Sequence, residues 1–320
     1  MLSPEELDKH LRRVLNAISD GRVVPFLGAG ANLCGRPEGA VWTGEESPYL
    51  PSGSELAAYL RKAFEEETPS ELDLLRVSHY VKVLVGDGPL YEELHGLFAG
   101  AYRPTSLHTF LASVPERLFR AAGKAPRYQL IVTTNWDDAL EQAFAAAGEP
   151  YDVVWYVAGG RNRGKFMHRS ASGDVTLIAD PSEYVEVSTE ERTVILKVHG
   201  AVDRAGTRSA SDSYVITEDD YIEYLSGGTA IASLVPVELA SQLQLSHILF
   251  LGYRLADWNL RVILNRIWRE RELHYVSWAI QKEEPSELDE RFWLKREVEI
   301  KAVDLADYVT GLERLLDERS

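Results

Sequence analysis

Cysteine is nearly missing from this chain: Cys34 is the single one in 320 residues. One thiol excludes an internal disulfide and any four-cysteine zinc knot, and a cytoplasmic location is the simplest reading. Long apolar runs are missing too. A bilayer span needs about 20 apolar residues, and the nearest approach is the short HILFLGY of 247–253. Positive charge is scarce, with 34 Lys and Arg against 50 Asp and Glu and a formal net charge of −16. That balance disfavours nonspecific binding to nucleic acid or an anionic membrane as the main activity. No internal repeat and no low-complexity tract is present. The N-terminus does not read as a signal peptide; SPEELDKHLRRVLNAI has Ser3 as N-cap, Pro4 in the first turn, Glu6 three residues after the cap and an apolar face of Leu7, Leu11, Val14, Leu15 and Ile18. It is an amphipathic helix that docks on the rest of the fold.

What is present is an ordinary globular composition, 45% hydrophobic and 26% charged, in a chain long enough to bury a sizeable core. Short β-rich apolar runs recur at 23–27, 130–133, 153–157, 194–198, 248–251, 275–280 and 298–303. Runs of four to eight apolar residues bounded by turn signals suit strands covered on both faces, so the expected fold is a doubly wound α/β parallel sheet. Helices are expected from Ser52 or Ser54, from Asp137 or Asp138 to a stop at Gly148, after Asn259, and in DYVTGLERLLDER at the end. Residues 56–120 read as a mainly helical insertion above the sheet, within a single domain spanning 1–320. Residues 158–190 read as a long excursion before the strand VILKV. Within it, GRNRGKFMHR (160–169) gathers Arg161, Arg163, Lys165 and Arg169, most simply as a solvated loop.

Ligands of open α/β sheets bind beyond the carboxyl ends of the strands, and four strand ends here carry polar or glycine residues. In VVPFLGAGAN, Gly28 and Gly30 allow backbone amides and a helix start to approach a pyrophosphate, or they simply make a turn. In LIVTTNWDDAL, Asn135 and Asp137 crowd a strand end before a helix, as site residues or as its cap. In VILKVHGAVD, His199 follows an apolar strand, where an imidazole with a pKa of about 6.5 can act as a base. Lys197 is given no role. In ILFLGYRLADWNLR, Gly252 ends another strand and Asp257 or Asn259 opens a helix.

In this order, PFLGAGAN, VTTNWD, KVHG and FLGYRLADWNLR, with SYVITEDDYIEYL between the last two, resemble the sirtuin-like, silent-information-regulator-type family of bacterial anti-phage defence over residues 20 to 270 or so. The resemblance implies a Rossmann-like NAD-binding domain with a smaller inserted module. It implies that Gly28, Ala29 and Gly30 line the phosphate and ribose path of NAD and that Asn135 sits by the nicotinamide ribose. It further implies that Asp137 approaches the carboxamide, that His199 is the catalytic histidine, and that Gly252 and Tyr253 form the turn on the adenosine side. The chain departs from the protein-deacetylating branch in two places. It has no cysteine after Cys34, so no zinc module is expected, and NLCGRPEGAVW stands where that branch has Gly-x-Pro-Asp-Phe-Arg.

The expected activity is therefore that of a NAD glycohydrolase, with NAD as substrate and no metal, releasing nicotinamide and linear or cyclic ADP-ribose. By the resemblance it would deplete NAD upon phage infection, as a homo-oligomer or under a separate ATPase or sensor subunit. A NAD-dependent protein deacylase and a noncatalytic NAD- or ADP-ribose-binding assembly subunit are the alternatives. Direct nucleic-acid binding through 160–169 is the weakest.

Overall fold

The computed structural model describes residues 3–44, 46–64, 72–122, 128–204, 212–226, 234–253 and 275–319. The helix expected after Asn259, and Asp257 with it, lie outside these residues.

Nine strands form one sheet in the order β5-β4-β3-β6-β2-β1-β7-β8-β9. They are β1 (Val23–Leu27), β2 (Leu130–Thr133), β3 (Tyr151–Tyr156), β4 (Phe166–Arg169), β5 (Val175–Ile178), β6 (Thr193–Lys197), β7 (His247–Leu251), β8 (Ser277–Gln281) and β9 (Val298–Ala302). The seven from β3 to β9 across the sheet pair in parallel, and β4 and β5 add an antiparallel hairpin to the β3 edge. The architecture is Rossmann-like. The hairpin lies inside 158–190 and was not visible in the sequence: its residues are short, and β5 leaves Val175 and Thr176 exposed at the edge. Of the basic residues of 160–169, Arg163 pairs with Glu223, and Arg169 lies over the Trp155 ring at 5.9 Å.

Strand side chains alternate, so Val24 and Phe26 face one core and Val23 and Leu27 the other. The first core is closed by α7 (Glu218–Ser226), α8 (Val237–Leu245) and α9 (Glu287–Leu294), through Tyr221, Leu239 and Trp293. The second is closed by α1 (Pro4–Ser19), α5 (Ser106–Ala122), α6 (Ala139–Ala147) and α10 (Leu305–Asp317), through Leu15, Phe110, Phe144 and Leu312. Helix α1 begins at the Ser3–Glu6 capping box and buries Leu11, Val14, Leu15 and Ile18, as its spacing predicts. Helix α6 stops at Gly148, φ +70°.

Between β1 and β2 run α2 (Gly53–Ala63), α3 (Leu74–Val85), α4 (Asp87–Phe98) and α5. The first three share a third core, with Leu60, Val81, Leu94 and Phe98 packed on Ala139, Tyr214 and Ile216. Helix α5 packs instead on the sheet. Among the described residues no helix is long and apolar enough to cross a membrane.

Candidate functional site

The register of the sheet brings the four strand ends together. Leu27 of β1 is level with Leu251 of β7 and Thr133 of β2, and Thr133 is level with Lys197 of β6. The chain runs from β1 through β2 to one side and returns through β7 on the other, so β1 and β7 flank a topological switch point, where open α/β sheets bind ligands. A cleft of about 200 Å³ opens there. Ala29, Asn135, Asp137, His199, Gly252 and Tyr253 all line it.

Gly28 and Gly30 do not line it. Their amides, expected to be open to a phosphate, are already used: Gly28 N–H donates to Leu251 O and Gly30 N–H to Gly252 O, both at 3.0 Å. The reason for glycine is backbone against backbone. A Cβ on Gly28 would stand 2.7 Å from Gly252 O, one on Gly30 2.8 Å from the same atom, and one on Gly252 (φ +76°) 2.2 Å from Ala31 N. The two turns interlock, and Tyr253 seals them, its hydroxyl 2.7 Å from Thr134 Oγ1 and donating to Leu27 O at 3.1 Å.

After β2 the chain is held by its own polar side chains. Asn135 N–H donates to Thr133 Oγ1 (3.0 Å), and Asn135 Nδ2 donates to Gly28 O (3.1 Å) and Asn32 Oδ1 (3.3 Å). Asn32 Nδ2 in turn donates to Asp137 Oδ2 at 2.7 Å, while Asp137 Oδ1 accepts Ala139 N–H at 3.1 Å. Asp137 therefore lines the cleft and takes up the first N–H of α6, while the cap position itself falls on Asp138, whose side chain makes no capping bond. Asn32, which joins Asn135 to Asp137, carried no assignment in the sequence. Its signal was there, a polar side chain two residues past the last glycine of a strand-end turn.

His199 follows β6, and Gly200 (φ +92°) turns the chain directly after it; a Cβ on Gly200 would meet Ser213 O at 2.0 Å. His199 O accepts Trp136 Nε1–H (3.0 Å) and Val215 N–H (2.9 Å), which fixes its backbone between two loops. Tyr221 and Tyr224 meet the imidazole edge-on, with ring centroids at 5.3 and 5.7 Å. Tyr221 was also unassigned in the sequence. It is set by a cap within SYVITEDDYIEYL: Asp220 Oδ2 accepts the N–H groups of Ile216 (3.2 Å) and Thr217 (2.9 Å). His199 Nδ1 lies 3.4 Å from Tyr221 Oη, and buried Nε2 has no hydrogen-bond partner. Burial pushes the imidazole from its ordinary value near 6.5 down to about 3. The free-solution pKa expected from the sequence does not survive this enclosure; the ring is held neutral.

A buried ring nitrogen lacks a partner, and it lines the same cleft as Asn135, Asp137 and the interlocked turns. Among the described residues no three His, Cys, Asp or Glu side chains gather to hold a metal ion.

Comparison with known proteins gives two matches. The SIR2-like domain model matches residues 129–301, more than half of the chain, beginning after the β1 turn and taking in Asn135, Asp137, His199, Gly252 and Tyr253. Over 135 residues, 42% of this chain, the sequence is 29% identical to defense-associated sirtuin 2 of Bacillus subtilis. The match covers 10% of that protein's length.

Proposed function

Because the chain belongs to the SIR2-like family, we propose that it is a NAD hydrolase that breaks the bond between nicotinamide and ribose C1′, adds water there, and releases nicotinamide, ADP-ribose and a proton. The observation that carries the reading is the unpartnered Nε2 of neutral, buried His199 in one cleft with Asn135 and Asp137.

NAD supplies a leaving group that departs neutral, so the sugar gains positive character and no strong acid is required. The residues have matching tasks. A neutral imidazole does not repel a cationic sugar as an imidazolium would. With its proton on Nδ1 and directed to Tyr221 Oη, His199 offers Nε2 as acceptor to a ribose hydroxyl or the attacking water. The amide of Asn135 is oriented by Gly28 O and Asn32, so it presents a fixed dipole to the ribose side at little reorganisation cost. Asp137, held by Asn32 and Ala139 N–H, keeps further lone pairs with which to accept the carboxamide N–H.

The similarity to a defense-associated sirtuin supports a role in defence; NAD depletion upon phage infection is the proposed way in which it acts. Such an activity has to be restrained in resting cells. Control by homo-oligomerisation or by a separate ATPase or sensor subunit is part of the proposal.

The test is chromatographic. Purified protein, alone and with candidate partner subunits, is incubated with NAD in the presence and absence of an acylated peptide, and nicotinamide is followed. Peptide-independent release that falls at least about 100-fold in His199→Ala and in Asn135→Ala is expected, the usual scale for losing a positioned acid–base or orienting group. Release that needs the acylated peptide, or that is untouched in both variants, overturns the reading.

A further inference from the structure

Beneath the cleft lies a charge that the proposed chemistry leaves unused. Lys197, the last residue of β6, is 1% exposed. Its ammonium meets Glu141 Oε1 of α6 at 2.7 Å and donates a second bond to the main-chain carbonyl of Asp137. Glu141 is 5% exposed, and its other oxygen, Oε2, has no partner. Taking both ions out of water is costly, and apolar side chains of the same size would often be as stable or more so. The pair therefore calls for a reason beyond holding α6 on the sheet.

The reason lies in where the second bond lands. Residues 134–138 cross from β2 to α6 over the end of β6. The side chains of Asn135 and Asp137 bond Asn32, Gly28 O and Ala139 N–H, none of which lies on β6. On that side Trp136 holds the loop, through Nε1 to His199 O and through its own carbonyl to Val202 N–H. The carbonyl of Asp137 is the next acceptor along the loop, and Lys197 reaches it from two residues before His199. An ammonium does this where an apolar residue cannot, since a bond to a charged donor is stronger than a neutral one.

We propose that Lys197 is a positioning residue: its ammonium, seated on Glu141, grips the Asp137 carbonyl and keeps the Asn135–Asp137 loop in register with His199. This deepens the hydrolase reading and rests on it for its catalytic part. Burial raises the pKa of the Glu141 carboxyl, and Lys197 draws it back down only in part.

The test uses three variants. Lys197→Met alone strands a buried carboxylate and serves only as the destabilised reference. Lys197→Met/Glu141→Gln removes both charges together with the bond to Asp137. Glu141→Gln alone keeps a lysine nitrogen that donates to Asp137 O. In the double variant, with the melting temperature back near wild type, kcat for nicotinamide release is expected to fall at least tenfold while KM for NAD stays within threefold; Glu141→Gln is expected to stay within threefold of wild-type kcat. A double variant as active as wild type overturns the proposal, because the pair would then be structural only. Amide hydrogen exchange gives a readout independent of turnover. The amides of Trp136 to Ala139 are expected to exchange at least tenfold faster in the double variant, with β6 unchanged. If wild type consumes no NAD, alone or with the candidate partner subunits, the hydrolase reading fails, and exchange alone decides the clamp: faster exchange of these amides upholds it, and unchanged protection overturns it.

Discussion

Lowering the pH from 7 to 5 should unfold this protein far more readily than its carboxylates would require. Three buried histidines are held neutral by desolvation: His10 and His199 pushed down to about 3, and His108 to about 4, from ordinary values near 6.5. His10 contacts Tyr308 Oη at 3.0 Å, and His108 Nδ1 accepts Thr105 N–H at 3.2 Å. For a group whose folded pKa is depressed, the unfolded chain takes up the proton first. The stability is therefore present above pH 6.5 and lost as the pH falls towards 3 or 4. With an unfolded value of 6.5, each histidine forfeits about 2 kcal/mol between pH 7 and pH 5, roughly 5 to 6 kcal/mol for the three. Glu141, raised by burial, works in the opposite direction and offsets part of this loss. A loss on this scale is comparable with the whole stability of a marginal domain. Urea titrations at pH 7, 6 and 5 measure it, and the slope between pH 6 and 5 should correspond to at least about two protons taken up on unfolding. His199→Gln should lower that uptake by about one. A midpoint flat between pH 7 and 5, or a slope indifferent to His199→Gln, would refute the assignment of these rings as neutral in the fold.

Two other perturbations test the site's architecture. Gly252→Ala places a Cβ 2.2 Å from Ala31 N at φ +76°, so the interlocked turns must separate and the bonds to Leu251 O and Gly252 O weaken. The expected loss is about 3 kcal/mol or more by thermal or denaturant unfolding, whereas Gly148→Ala, with φ +70° and nothing within 4 Å, should cost only the left-handed penalty of about 1–2 kcal/mol. Equal losses would show that the turns do not interlock. Asn32→Ala strips Asp137 Oδ2 of its donor and leaves the Asn135 amide held by Gly28 O alone, so stability should fall by about 2 kcal/mol and nicotinamide release by about tenfold or more. Wild-type release in Asn32→Ala would remove Asn32 from the site.

Much of the frame was readable because strands buried on both faces leave apolar runs, and helix starts leave caps. Thus β1, β2, β6 and β7 and the Ser3–Glu6 box stand where the pattern put them. The hairpin of β4 and β5 escaped because an edge strand with solvent on its outer positions has little apolar signal. Lys197 escaped for a different reason: a lysine in an apolar strand looks like an interruption until its carboxylate partner, far off in the chain at Glu141, is seen. Asn32 and Tyr221 stood inside stretches already singled out, yet the partners that give them a role, Asp137 and His199, are distant in the chain.

Composition and periodicity alone determined the class of fold, the sheet-and-helix alternation and the strand ends at which chemistry could sit, because burial and backbone geometry act residue by residue. Only the tertiary structure decided that Leu27, Thr133, Lys197 and Leu251 share one level of the sheet, so that the residues after them meet around a single cleft. It also decided that the glycines serve the contact between two turns and that His199 is neutral, since close approach and desolvation are properties of neighbours distant in the chain.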